Sequence, residues 1–87
     1  MSTPFRLVLS SAECQQLTRV LGDYPSAVFL RLPPGSEHLP LLRHQAETVL
    51  DDLGDLLCAK GVADGEINAF GLQLEFLIDR INEPLHG

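Results

Sequence analysis

From Pro40 to Asn82 the chain reads PLLRHQAETVLDDLGDLLCAKGVADGEINAFGLQLEFLIDRIN, and this stretch decides the fold. Leu42, Ala46, Val49, Leu53, Leu56 and Lys60 recur at alternating steps of four and three, with Leu50 and Leu57 on the flank. On a helical wheel they form one stripe roughly 120° wide, so the spacing predicts a helix over residues 40–60. Arg43, His44, Glu47, Asp51, Asp55 and Cys58 fall on the opposite side. Gly61 stands where a helix stop is expected.

Ile67, Phe70, Leu74, Leu77 and Ile81 repeat the pattern, with Ile78 on the flank. A second helix is therefore predicted up to Asn82, with Asp64 placed to cap it and Glu66 near its positive end. Pro84 is expected to end it and to leave residues 83–87 as a tail. The link between the two helices is so short that they must run antiparallel, seam to seam. Gly71 lies beside the seam and costs about 1 kcal/mol of helix propensity relative to Ala. Its presence predicts close approach by another backbone.

Working outward, residues 33–39 read as a linker with a turn leading into the hairpin, and His38 falls within it. Residues 27–32, Ala27-Val28-Phe29-Leu30-Arg31-Leu32, are short and apolar, and Pro33-Pro34-Gly35 close them. Length and β-propensity favour a strand there, and a short helix from Pro25 is the alternative. Further back, Ser10-Ser11-Ala12-Glu13 is a capping box, and Cys14, Leu17, Val20 and Leu21 form one narrow apolar stripe behind it. Gly22 and Pro25 stop that helix. Phe5, Leu7 and Leu9 alternate, as one face of a strand does. If residues 27–32 are a strand, they are available to pair with residues 5–9. The expected fold class is thus α+β and mainly α: strand, capped helix, second strand, then a long helical hairpin. An all-α small bundle is the alternative. The 87 residues make a single small domain, with a strand/helix/strand layer over 5–32, the linker 33–39, the hairpin 40–82 and the tail 83–87.

Composition bounds the function. Hydrophobic residues make up 45% and charged residues 21%, which is ordinary globular usage and argues against disorder. The net charge is −6. Residues 1–44 hold four Arg and three acids, whereas residues 45–87 hold nine acids against Lys60 and Arg80. With no cationic footprint for phosphates, direct nucleic-acid binding is not expected. No apolar run approaches the roughly 18–20 residues of a membrane span. The opening residues Met1-Ser2-Thr3-Pro4-Phe5-Arg6 show no signal-peptide pattern. Together with only two thiols, this leads to the expectation of a cytoplasmic protein. Cys14 and Cys58 lack zinc-type spacing with histidine, Cys14 on an apolar face and Cys58 on a polar one.

Catalytic and metal chemistry find little support. His86 sits in the tail and His38 in the leading turn. His44-x-x-Glu47 has the spacing of a ligand pair, but metal-binding bundles write Glu before His and repeat the motif on another helix. No Gly-rich phosphate loop and no nucleophile elbow occur. No enzyme, no metal and no cofactor is expected.

Two features remain. Glu47, Asp51 and Asp55 recur every four residues, a spacing that costs an isolated helix a few tenths of a kcal/mol per like-charged pair. Either they are a solvated face or they meet a cationic partner. On the last helix, Ala69, Leu72 and Phe76 project about 140–200° from Ile67, across from the seam. Either the N-terminal layer of the same chain covers them or a second molecule does, and a homodimer is one such arrangement. The expected function is a non-catalytic acidic protein–protein interaction module. It would use Leu72, Phe76 and Ala69 as apolar contacts and Glu47, Asp51 and Asp55 for steering toward a protein with a basic surface. Immunity proteins that cap basic toxins, secretion chaperones and small adaptor subunits share this physical profile. The alternatives are a metal- or redox-responsive regulator using His44, Glu47, Cys58 and Cys14, and an acidic nucleic-acid mimic that blocks a basic protein.

Overall fold

The structure is a computed structural model that describes residue 5, residues 7–22 and residues 24–86. It is α+β and mainly α. Strand β1 (Leu7–Ser10) leads into helix α1 (Ser11–Val20), and a 3-10 helix (Pro25–Leu30) follows. Strand β2 (His38–Leu41), helix α2 (Arg43–Lys60), the short strands β3 (Val62–Ala63) and β4 (Glu66–Ile67), and helix α3 (Ala69–His86) complete the chain.

The capping box forms as the sequence predicts. Glu13 N–H donates to Ser10 Oγ at 3.2 Å, and Ser10 N–H donates to Glu13 Oε1 at 2.9 Å. Leu7 and Leu9 are buried while Val8 between them is exposed, the alternation of a half-covered strand.

The second strand is not at residues 27–32. It is β2, which pairs antiparallel with β1, Leu7 opposite Leu41 and Leu9 opposite Leu39. Pro40 lies opposite Val8, in a two-stranded sheet where β2 is an edge and a missing N–H is tolerated. The linker therefore ends before His38, and the hairpin helix starts at Arg43 rather than Pro40. Leu42 becomes its N-cap and is exposed instead of lying on the seam; its N–H donates to Gln45 Oε1 at 2.9 Å. Lys60, also assigned to the seam, is exposed. Residues 27–30 fall in the 3-10 helix, as the alternative had it, with Pro25 in its first turn. A strand there would put Val28 and Leu30 on one face, whereas Val28 is exposed and Leu30 buried. The Ser26 N–H is held by Asp52 Oδ2 at 3.2 Å, which ties the 3-10 helix to α2.

The hairpin link also differs in detail. Asp64 and Gly65 both have positive φ, 53° and 79°, and form the two-residue turn between β3 and β4. Asp64 is thus a turn residue, and Asn68 is the cap of α3. Asn68 Oδ1 accepts the Gly71 N–H at 2.7 Å, and Asn68 Nδ2 donates to the Lys60 carbonyl at 3.0 Å. Ile67 lies in β4 and is part-exposed, so it leaves the α3 seam. At the other end α3 continues through Pro84 to His86, where residues 83–87 were expected to be a tail; Gly87 lies outside the described residues, as do Met1–Pro4 and Arg6. Pro84 falls in the last turn, where the loss of one backbone donor interrupts little.

The hydrophobic core is one cluster. Ala46, Val49, Leu53 and Leu56 of α2 meet Leu74, Leu77 and Ile81 of α3, with Leu7 and Leu9, Cys14 and Leu17, Leu21, Leu30, Leu39 and Leu41 completing it. The molecule measures 42 × 35 × 19 Å, and its short axis is about two layers of elements thick. Two layers leave each helix an outer face.

The close approach predicted at Gly71 occurs, and its partner is Gly61. A Cβ built on Gly71 would run into the Gly61 carbonyl oxygen, and one on Gly61 would stand 3.0 Å from the Gly71 Cα. Gly61 has ordinary right-handed φ, so its glycine serves this contact and not a left-handed helix stop. By contrast, a Cβ at Gly54 in α2 meets nothing within 4 Å. Gly71→Ala is expected to destabilise by about 1–3 kcal/mol through overpacking against backbone. Gly54→Ala should stabilise by about 0.5–1 kcal/mol through helix propensity. Urea unfolding of the two variants checks the contrast; equal and opposite-to-expected shifts would count against the glycine contact.

Candidate functional site

The outer face of α3 is the first candidate surface. With Leu74, Leu77 and Ile81 turned to the core, residues 69, 72, 76, 79 and 83 line up on the opposite side. Leu72 is 56% exposed and Phe76 70% exposed. Ala69 is exposed beside them. The N-terminal layer therefore does not cover this face, and the choice left open by the sequence goes to solvent. The stripe is apolar in its first half, and Asp79 and Glu83 continue it as an acidic half, with Glu75 at its side. Phe76, Asp79, Arg80 and Glu83 line a shallow hollow there.

Arg80 fixes that hollow to the rest of the molecule. Its Nε donates to Glu13 Oε2 at 2.7 Å and its Nη2 donates to the Val8 carbonyl at 3.3 Å. Glu13 thus binds its own helix cap with one oxygen and α3 with the other. Burial pushes the Glu13 carboxyl upward, but the Ser10 hydrogen bonds and the Arg80 guanidinium outweigh it and hold the carboxyl below its usual range.

The second candidate surface is the outer face of α2. Glu47, Asp51 and Asp55 are all exposed on it. Asp52, the neighbour of Asp51 in sequence, instead accepts the Ser26 N–H with its carboxylate. Arg43, Glu47, Leu50 and Asp51 line a groove that Leu85 of α3 closes. Arg43 also lies over the Phe5 ring, 5.0 Å from its centre. The structure thus gathers the predicted residues into two sets, Ala69, Leu72 and Phe76 on α3 and Glu47, Asp51 and Asp55 on α2.

The residues of the metal or redox reading are not gathered. Cys14 is buried in α1 and Cys58 is exposed on α2, both as free thiols. Burial, with a smaller contribution from the Glu13 charge, pushes the Cys14 thiol up and away from reactivity. Among the described residues, no three His, Cys, Asp or Glu side chains are grouped to hold a metal ion. Among the same residues no helix is long and apolar enough to cross a membrane.

One surface was not legible beforehand. Ser11, Cys14, Gln15, Thr18 and Arg19 of α1, with Leu30, Arg31 and Leu32, line a groove of about 580 Å³. The groove exists because the 3-10 helix and its exit lie beside α1, a placement that a strand at residues 27–32 paired with β1 would not give. Comparisons with family models, with curated proteins and with solved structures return no match.

The state of Glu13 gives a pH test. Its folded value lies below the ordinary glutamate value of the unfolded chain. Its stabilisation is therefore present at neutral pH and lost as pH falls from the unfolded value through the folded one. In thermal melts between roughly pH 5 and pH 2, Glu13→Gln should show a shallower loss than the parent. The part-exposed pair limits the difference to about 1 kcal/mol. Identical slopes would remove Glu13 from the acid response.

Proposed function

We propose that this chain is a non-catalytic protein–protein interaction module that docks through the outer face of α3. The exposure of Leu72 and Phe76 carries the reading. The core closes without them, so folding gives no reason for two large apolar side chains on that face. Covering one such side chain contributes about 1.5–3 kcal/mol, so the pair by itself supports a weak, reversible contact. Ala69 keeps the helix surface low beside the two anchors, which lets a partner seat closely on them.

The acidic column of α2 acts at longer range. Glu47, Asp51 and Asp55 are exposed and screened by salt, so their contribution is to encounter rate and partner choice more than to final affinity. A partner with a basic surface relieves their mutual repulsion on approach.

Leu72→Asp with Phe76→Asp is expected to leave stability within about 0.5 kcal/mol, since neither side chain is in the core. The same variant should abolish partner binding, read by light scattering and by surface-immobilised capture. Val28→Asp, at a comparably exposed apolar position, should bind as the parent does. Neutralising Glu47, Asp51 and Asp55 with amides should slow association and flatten its salt dependence. Equal loss of binding in Val28→Asp, or none in the α3 variant, would sink the reading.

A further inference from the structure

The groove beside α1 and the ridge on α3 are complementary to each other. Cys14 and Leu30 form an apolar floor, 3% and 2% exposed, and Leu32 forms a wall. Two exposed cations, Arg19 and Arg31, stand at its rim. Arg19 also borders a neighbouring hollow of about 550 Å³ that contains Lys60, which extends the cationic rim. The ridge has the same construction with the charges reversed. Leu72 and Phe76 project from it, with Glu75 at their side and Asp79 and Glu83 continuing the stripe beyond Phe76.

We propose that the ridge of one copy of this chain seats in the α1 groove of a second copy, with Phe76 over the apolar floor and the ridge carboxylates on Arg19 and Arg31. This rests on the reading of Leu72 and Phe76 as a docking surface and names what docks there. The occupant follows from charge. The chain is acidic as a whole, and most of its exposed acids lie on α2 and α3, so two copies repel unless the α1 end of one faces the hairpin of the other. A ridge-to-ridge dimer would bring Glu75, Asp79 and Glu83 against their own copies, and like charges in a desolvated contact oppose it. A ridge-to-groove contact pairs opposite signs instead. Each copy carries one ridge and one groove, so a reciprocated contact closes as a two-fold dimer and an unreciprocated one propagates into open chains or rings. Anchors of this size bury about 150–250 Å² for the aromatic and less for the leucine, which places the contact at the weak, reversible end of protein association.

Sedimentation velocity over a rising concentration series tests it with two variants. Phe76→Asp breaks the ridge and keeps the groove; Arg19→Glu with Arg31→Glu breaks the groove and keeps the ridge. All three positions are exposed, so circular dichroism of each variant should match the parent. The parent should show a mean mass that rises from monomer with concentration, to dimer or beyond, and falls with added salt. Each variant alone should stay monomeric, its self-affinity reduced by about thirtyfold or more. Mixed together, they should form a complex that stops at one copy of each, because the ridge and groove left over are both broken. A parent that stays monomeric throughout overturns the proposal, as does one that stops at a dimer with no complex in the mixture. If the parent is monomeric but binds a different protein in a Phe76-dependent way, self-assembly fails and the docking reading stands. If no Phe76-dependent binding of any kind is seen, both fail.

Discussion

The Gly61–Gly71 contact determines how the two long helices sit. With no side chain on either residue, the end of α2 and the start of α3 approach to backbone distance. Asn68 then closes the junction from both sides. Its amide N–H₂ reaches the Lys60 carbonyl at the end of α2, and its carbonyl oxygen takes the Gly71 N–H at the start of α3. These are end groups that a helix leaves without internal partners. With the pivot held there, α3 has one rotation that turns Leu74, Leu77 and Ile81 onto Val49, Leu53 and Leu56. The same rotation sends Leu72 and Phe76 outward. Their exposure is thus a consequence of how the core is packed and not of a loose helix.

The far end of α3 is held by a different device. Glu13 caps α1 and pairs with Arg80, and Arg80 also reaches the Val8 carbonyl. One carboxylate thereby joins the N-terminal layer to the hairpin. The second tie, Asp52 to the Ser26 N–H, holds the 3-10 helix against α2. The first tie holds α1 and the second holds the 3-10 helix, and the apolar groove is lined by α1 and the end of that 3-10 helix. The groove's position follows from the same polar contacts that assemble the two layers, and the ridge's position follows from the glycine pivot at the other end.

Charge gives the molecule a direction. Arg19, Arg31 and Lys60 line adjoining hollows beside α1, while most of the exposed acids lie on α2 and α3. A chain with net charge −6 is kept apart from its copies at long range. At short range, an uneven distribution favours some orientations strongly over others. An apolar anchor flanked by acids, facing an apolar hollow flanked by cations, is the arrangement such a distribution rewards.

Periodicity in residues 40–82 was sufficient for the hairpin, the middle of its seam and the close approach at Gly71, because helical spacing and helix propensity are local properties; Leu42, Lys60 and Ile67 at the helix ends fell off the seam. The Ser10–Glu13 cap was legible for the same reason, being a contact three residues apart. Residues 27–32 and 38–41 were not. Both are short and apolar enough to be strands, and only one can pair with β1. The choice depends on register, on Pro40 needing an edge and on Asp52 seizing the Ser26 N–H from 26 residues away. The Asp64-Gly65 turn was readable as a hairpin signal, yet the longer helical pattern around it drew Ile67 into α3. For the site, helical spacing alone assigned which residues of α3 oppose the seam and which acids share a column on α2. Tertiary packing was needed to leave Leu72 and Phe76 exposed among the described residues and to bring Cys14, Leu30, Arg19 and Arg31 to one groove. A helical wheel ranks the faces of one helix. Which faces are then covered is set by the packing of segments far apart in sequence.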